Sequence, residues 1–297
     1  MDHRQRRVVF YQRHPFFSRK QLNKNKTSEI PQAIPEVPTI VYEEKTSLKN
    51  LIFICVFHQQ NYINLLKLLL VSIAQNAKID NTDILIITSP SFYPLIVKEM
   101  EHLPINLKYF ILDLTTLFDA GCARLNIFKY EGIESYDKII YLDTDILINS
   151  DVNILLSLKL SNDKIYTLEE GVISQHFYGS WFFDFTKIDR NTTAFTSGIM
   201  IFHNNNIIKT LFDDIQKHIH KYIVEDKQEI PDCLDQPFIV FNAITQNKYD
   251  NTLLKDFVEN NPITVEREKV IYHFPGGPGA YDSKFAKMTY FWDKMNC

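Results

Sequence analysis

The chain has 297 residues, 45% hydrophobic, 13% aromatic and 23% charged, with 32 Lys/Arg against 36 Asp/Glu and a net charge of −4. That length gives one large domain or two small ones, with ample apolar surface to bury. The near-balanced charge speaks against a whole-protein nucleic-acid binder, and the longest apolar run, residues 51–57, is far shorter than the roughly 20 residues of a membrane span.

Charge is unevenly distributed. Residues 1–26 carry a net +7, which leaves −11 for the rest, and Pro31, Pro35 and Pro38 then favour extended backbone. Residues 1–48 therefore read as a basic, proline-containing arm and linker, and 49–297 as one folded domain. The arm is either a solvated or loosely docked tail, or a basic contact for an acidic partner or membrane surface; docking across a homodimer is a further reading. Arg4, Arg6 and Arg7 precede only a short apolar run, so no secretory signal is read there. A cytoplasmic location is expected, with Asn25 and Asn191 unglycosylated. Cys55, Cys122, Cys233 and Cys297 form no CxxC pair, which indicates neither a disulfide framework nor a zinc site.

From residue 49 the pattern alternates between β-rich and helical runs. Residues 51–57 read as a buried strand and 62–75 as an amphipathic helix; 83–88 is a second strand and 93–102 a second helix. Strands at 107–112 and 138–142 follow, separated by a helix around 123–130. This alternation predicts an α/β fold with a mainly parallel central sheet flanked by helices on both faces. Such sheets bind ligands at the carboxyl ends of their strands. His58-Gln59-Gln60-Asn61 stands where a dinucleotide fingerprint would follow the first strand, and no Walker A loop is present.

The strand at 138–142 ends in Asp143-Thr144-Asp145. Carboxylates two residues apart on extended backbone point the same way and can address one cation, and hard oxygen ligands suit Mg²⁺ or Mn²⁺. Three further signals lie downstream. Phe195-Thr196-Ser197-Gly198 reads as a turn entering a strand. Asp232 and Asp235, the latter followed by Gln236, sit at the expected start of a helix. His273-Phe274-Pro275-Gly276-Gly277 ends a strand in a glycine-rich loop able to bring backbone N–H groups close to phosphate. Each taken singly also fits a plain turn, a helix cap or a buried histidine.

In this order, YDKIIYLDTD, FTSG, DxxDQ and HFPGG resemble the glycogenin-like glycosyltransferases, glycosyltransferase family 8, from about residue 51 to 288. The resemblance implies a GT-A-like nucleotide-diphospho-sugar transferase architecture and makes residues 49–297 the catalytic domain. It implies Mn²⁺ (or Mg²⁺) held by Asp143, Asp145 and His273, and a UDP-sugar as donor. The segment 56–62 matches the family's nucleotide-binding start, so Val56, His58 and Gln59 would lie by the nucleotide and Tyr62 would stack on uracil. Thr144, Gly276 and Gly277 would complete the donor site. Arg124 stands where the family has a donor-contacting basic residue, and Asp232, Asp235 and Gln236 match the residues around the donor sugar. Two positions depart from the pattern. Thr196 replaces a common Asn, and Gly279 replaces the family lysine six residues after the histidine; Lys284 is the candidate to supply that charge.

The chemistry is coherent with the resemblance. A departing diphosphate gathers negative charge that a divalent ion neutralises, while Asp235 or Gln236 can stabilise the positive anomeric centre. The expected function is metal-dependent, retaining transfer of a hexose-type sugar from a UDP-sugar to an acceptor that is a protein, a glycan or the chain itself. The alternative is a catalytically silent nucleotide-sugar-binding module on the same fold. A metal-dependent phosphotransferase ranks last, because it explains neither the DxxDQ nor the HFPGG motif.

Overall fold

The computed structural model describes residues 48–266, 268–276 and 280–296. The arm up to residue 47, together with Gly277 and Gly279, lies outside them. The first half of the domain is β1 (Lys49–Val56), α1 (Tyr62–Asn76), β2 (Thr82–Thr88), α2 (Tyr93–Met100), β3 (Leu107–Ile111), α3 (Leu117–Gly121), β4 (Tyr136–Leu142) and β5 (Ile146–Ile148). Then come α4 (Asn153–Leu156), β6 (Ile165–Val172), β7 (Thr193–His203), α5 (Asn206–His220), α6 (Gln236–Thr245), β8 (Tyr249–Asp250), β9 (Val258–Asn260), β10 (Ile271–His273) and α7 (Tyr281–Met295).

The seven-stranded sheet has the order β3-β2-β1-β4-β7-β6-β8. The pairs β1–β2, β2–β3, β1–β4 and β6–β8 are parallel, and β7 runs antiparallel to both β4 and β6. The α/β architecture and mainly parallel sheet expected from the sequence are what the structure shows. Strand parity explains how the layers hold together. Leu51 and Phe53 of β1, Leu85 and Ile87 of β2, and Ile139 and Tyr141 of β4 share a core with Phe212 of α5 and Phe238 of α6. The intervening residues, Ile52, Ile54, Ile84, Ile86, Ile140 and Leu142, pack with Leu66, Leu69 and Ile73 of α1 and Ile96 of α2. A strand buried on both faces must be apolar at every position, and each such side chain stabilises the fold by about 1.5–3 kcal/mol.

The smaller sheet has the order β5-β10-β9. Its Leu147 and Tyr272 pack with Phe274, with Leu65 of α1, and with Met288 and Phe291 of α7. The chain passes from the large sheet to the small one through Asp143-Thr144-Asp145, because β4 ends at Leu142 and β5 begins at Ile146.

Two expectations are corrected here. In place of one helix around 123–130, α3 is followed by a 3₁₀ segment, Cys122–Lys129. Ala123, Arg124, Leu125 and Ile127 are all buried, so the segment is enclosed on several sides and has no single apolar stripe of α-helical period. Residues 195–198 are likewise not a turn. They lie inside the continuous strand β7, where pairing with β4 and β6 absorbs Ser197-Gly198 as a local shift of register.

Candidate active site

The chain runs from β1 through β2 to β3 on one side and then crosses back to place β4 on the other side of β1. That reversal opens a crevice at the carboxyl ends of β1 and β4, the place where open α/β sheets take their ligands. A cleft of about 800 Å³ lies there, within the usual range of small-molecule sites.

At the end of β1, Phe57 leads into His58, whose φ of 65° puts a non-glycine residue in the left-handed region. This sharp exit turns His58, Gln59 and Tyr62 into the cleft. Val56 does not go with them. Its side chain is buried in the core against α1, and its carbonyl accepts a hydrogen bond from Thr88 Oγ1 at 2.6 Å.

At the end of β4, ligand atoms of Asp143, Asp145 and His273 lie within 4.8 Å of one another. Pairing brings them together. Register with β7 sets Leu142 opposite Ile199 and lets Asp143 N donate to Gly198 O at 2.9 Å. Register with β10 sets Ile146 opposite His273, and Phe274 N donates to Asp145 O at 2.9 Å. Gly198 forms the floor. A Cβ there would fall 2.8 Å from His273 Nε2 and 2.9 Å from Asp143 Oδ2, so only glycine leaves the space between the ligands open.

The residues present fit a divalent cation. Asp145 Oδ1 is buried with no hydrogen-bond partner among the described residues, and it faces His273 Nε2 at 3.6 Å. Two carboxylates and one imidazole around a side-chain-free gap make a mixed O/N donor set, which suits Mn²⁺ better than the oxygen-preferring Mg²⁺. Gly198→Ala is expected to weaken Mn²⁺ affinity at least tenfold while β7 stays paired, with calorimetry and circular dichroism as the readouts; unchanged affinity would mean that these three residues do not share an ion.

Lys284 of α7 is buried beside this cluster, its Nζ 2.6 Å from Asp145 Oδ2 and 6.0 Å from the centre of the Tyr62 ring. Burial disfavours the ammonium, but Asp145 outweighs it and holds Lys284 above its ordinary pKa. Burial would raise the Asp145 carboxyl, yet His273 and Lys284 together hold it down at about 2. His273 is also held above its usual value, because the Asp145 carboxylate overcomes the effect of burial. Gly276 makes room for the lysine stem, since a Cβ there would lie 3.1 Å from Lys284 Cε.

Across the cleft, Arg124 is a buried hub. Its Nη1 donates to Ser197 O at 2.6 Å and lies 3.5 Å from Asp143 Oδ1, and its guanidinium sits 4.6 Å from the centre of the Tyr141 ring. Its Nε lies 3.0 Å from Asp235 Oδ2, out of line for a hydrogen bond. The Tyr141 hydroxyl hydrogen-bonds Asp143 Oδ1. Asp235 directly precedes α6 but makes no capping bond; its carboxylate turns to Arg124 instead. Burial pushes that carboxyl up to about 6, against the pull of Arg124 and with Asp143 adding to the rise.

Asp232, expected to share the first helical turn with Asp235, lies outside α6 in the preceding turn, exposed at the cleft wall. Gln236 and Thr144 line the cleft as well, and Thr196 is buried in β7 facing it. Gly277 lies outside the described residues. Sequence reasoning missed Gly198 as a floor, Tyr141 as a partner of Asp143, and Glu170, Phe177 and Tyr178 in the cleft wall. Tyr141 was recoverable, since residues 141 and 143 share a strand face.

The comparisons agree with this geometry. A family model described as Glycosyl transferase family 8 matches residues 97–276, which include Arg124, Asp143, Asp145, Asp235 and His273. No curated protein sequence matches the chain. Among solved structures, the bifunctional glycosyltransferase WbbM superposes with a TM-score of 0.55 at 14% identity over 84% of this chain, which spans 51% of WbbM. Mouse xyloside xylosyltransferase 1 gives 0.53 at 10% identity, covering 76% of this chain and 97% of its own. The galactosyltransferase LgtC, solved with donor and acceptor sugar analogues, gives 0.50 at 11% identity, covering 83% of this chain and 99% of its own. At such identities the likeness shows a shared GT-A fold. With the family model matching well over half of the sequence, the chain belongs to glycosyl transferase family 8.

Proposed function

We propose that the protein is a Mn²⁺-dependent, retaining glycosyltransferase that moves a hexose-type sugar from a UDP-sugar to an acceptor hydroxyl. The observation that carries this reading is the convergence of Asp143, Asp145 and His273 over Gly198 at the crevice between β1 and β4. The ion they would hold supplies Lewis-acid stabilisation to the departing diphosphate. Tyr62 offers a ring for the uracil, with His58 and Gln59 beside it, and Gly276 lies by the diphosphate. Lys284 takes the place of the family lysine: its ammonium already stands in the cleft next to Asp145, where it adds positive charge toward the leaving group. In the reaction the C1–O bond to the β-phosphate breaks, its electron pair leaving with UDP. The acceptor oxygen bonds to C1 on the same face and its proton passes to the departing diphosphate. Asp235 and Gln236 hold negative charge and a carbonyl dipole near C1 as positive charge develops there, and Arg124 fixes Asp235 and Asp143 relative to each other. Asp232 and Thr196 are assigned to the sugar hydroxyls.

The direct test is UDP release across a panel of nucleotide-sugars with Mn²⁺. Release with one or more UDP-sugars that EDTA abolishes is expected; UDP binding without release from any donor would make the chain a silent binding module instead. Residues 1–48 are assigned to an arm outside the catalytic domain. Its deletion is therefore expected to leave the melting temperature and donor hydrolysis nearly unchanged, and a large fall in melting temperature would show that the arm belongs to the folded unit.

A further inference from the structure

We propose that Tyr141 and Lys284 are positioning residues that turn one oxygen of each aspartate away from the metal site, so that the site selects Mn²⁺ over Ca²⁺. This rests on the reading of Asp143, Asp145 and His273 as holding an ion, and it adds which ions they refuse and why.

Both carboxylates are tied in the same way. Asp143 Oδ1 accepts a hydrogen bond from the Tyr141 hydroxyl and lies 3.5 Å from Arg124 Nη1. Its Oδ2 is the atom at the gap, since a Cβ on Gly198 would lie 2.9 Å from it. Asp145 Oδ2 is bound to Lys284 Nζ at 2.6 Å. Its Oδ1 is buried, has no hydrogen-bond partner among the described residues and faces His273 Nε2. Each aspartate therefore presents one oxygen to the gap and has the other clamped by a protein donor.

The clamping groups are themselves fixed. Tyr141 is buried in β4, with its ring centre 4.9 Å from that of Phe53 of β1 and the Arg124 guanidinium 4.6 Å above it. Lys284 is buried one turn before Met288, which with Phe291 anchors α7 against Leu65 of α1. An ammonium carries several N–H donors, so the one given to Asp145 leaves others for a phosphate.

Ligation through single atoms discriminates among divalent ions. A carboxylate chelates an ion only when both its oxygens face it, and Ca²⁺ collects about six to eight oxygens, often by such chelation. Here Asp143 and Asp145 each offer a single oxygen and His273 a nitrogen. That sparse, mixed set fails the oxygen demand of Ca²⁺ and suits a smaller ion that accepts imidazole, as Mn²⁺ does.

The test titrates the full chain, without nucleotide, with Mn²⁺ followed by the spin-resonance signal of the free ion, and then with Ca²⁺ as competitor. The wild type is expected to bind Mn²⁺ on the order of 100-fold more tightly than Ca²⁺. Tyr141→Phe and Lys284→Met each free an oxygen to chelate. Each is expected to lower the Mn²⁺/Ca²⁺ affinity ratio about tenfold, the scale of losing a group that orients a metal ligand. Loss of the lysine charge strengthens both ions alike, so the ratio separates ligation from charge. Tyr141→Phe removes only a hydroxyl and decides the matter alone if circular dichroism shows that Lys284→Met does not fold. A wild type that binds Ca²⁺ as tightly as Mn²⁺ or binds no Mn²⁺, or an unchanged ratio in either folded variant, would overturn the proposal. The expected ratios without UDP release from any nucleotide-sugar would overturn the transfer reading alone and leave the clamp standing.

Discussion

Asp145→Asn is expected to abolish Mn²⁺-dependent UDP binding, the largest single loss we expect from one side chain in this protein. Asp145 is the pivot of two electrostatic arrangements. Its Oδ1 faces His273 and the gap over Gly198, and its Oδ2 holds Lys284. An amide is a far weaker ligand for a hard cation than a carboxylate, so the ion loses one anionic donor of its two. The same change leaves the buried Lys284 ammonium without its counter-charge, and breaking such a pair costs about 3 kcal/mol. Stability and metal binding can be told apart by the double variant Asp145→Asn/Lys284→Met. Removing the orphaned charge should recover much of the melting temperature but none of the Mn²⁺-dependent UDP affinity. Calorimetry showing wild-type Mn·UDP affinity in Asp145→Asn would remove Asp145 from the metal site.

Asp235→Asn is expected to bind UDP almost normally while losing about 10²-fold or more in sugar transfer, the scale of losing one preorganised electrostatic group. The carboxylate is buried, pinned by Arg124 and kept from capping α6, so its charge is held ready for a positive centre that exists only in the transition state. Burial raises the carboxyl to about 6, which fixes the sign of two pH effects. Ionised Asp235 is the form that stabilises the positive centre, so turnover at saturating metal and donor should rise through about pH 6, a limb that Asp235→Asn abolishes. Stability runs the other way. A folded-state carboxyl above its ordinary value of 3.8 binds a proton more tightly than the unfolded chain, so its contribution is full below that value and is lost as pH rises to about 6. That loss is roughly 3 kcal/mol. Undiminished turnover in a folded Asp235→Asn variant would exclude Asp235 from the mechanism.

Strands β1, β2 and β4 were legible in the sequence because burial on both faces makes every position apolar, and the helix at 62–75 because one amphipathic stripe fixes its period. The 3₁₀ segment was not, since burying Arg124 among Ala123, Leu125 and Ile127 erases any stripe. In the small sheet β10 was legible as the strand that ends at His273, but β5 and β9 were not, since each spans three residues and is held in place by pairing with β10. At the site, the motif residues Asp143, Asp145 and His273 announce themselves by chemistry, and the structure brings them together. Asp232 and Asp235 do not share a helical turn, and Val56 faces the core, because side-chain direction at the ends of elements depends on the turn that follows. Glu170 near the end of β6, and Phe177 and Tyr178 just after it, leave no local signal, since a carboxylate or an aromatic ring looks the same in sequence whichever way its segment leads.

The passage of the chain through Asp143-Thr144-Asp145 from one sheet to the other has a consequence for how this segment can vary. Three residues connect Leu142, in register with Ile199, to Ile146, in register with His273. Inserting or deleting a single residue there would put the two pairings out of step by one residue, reversing which side chains face inward on one side of the junction. Tolerance to change at this place should therefore be governed by spacing before chemistry. Exchanges at Thr144 that preserve length should keep the protein folded, whereas an indel of one residue should yield no soluble domain at all.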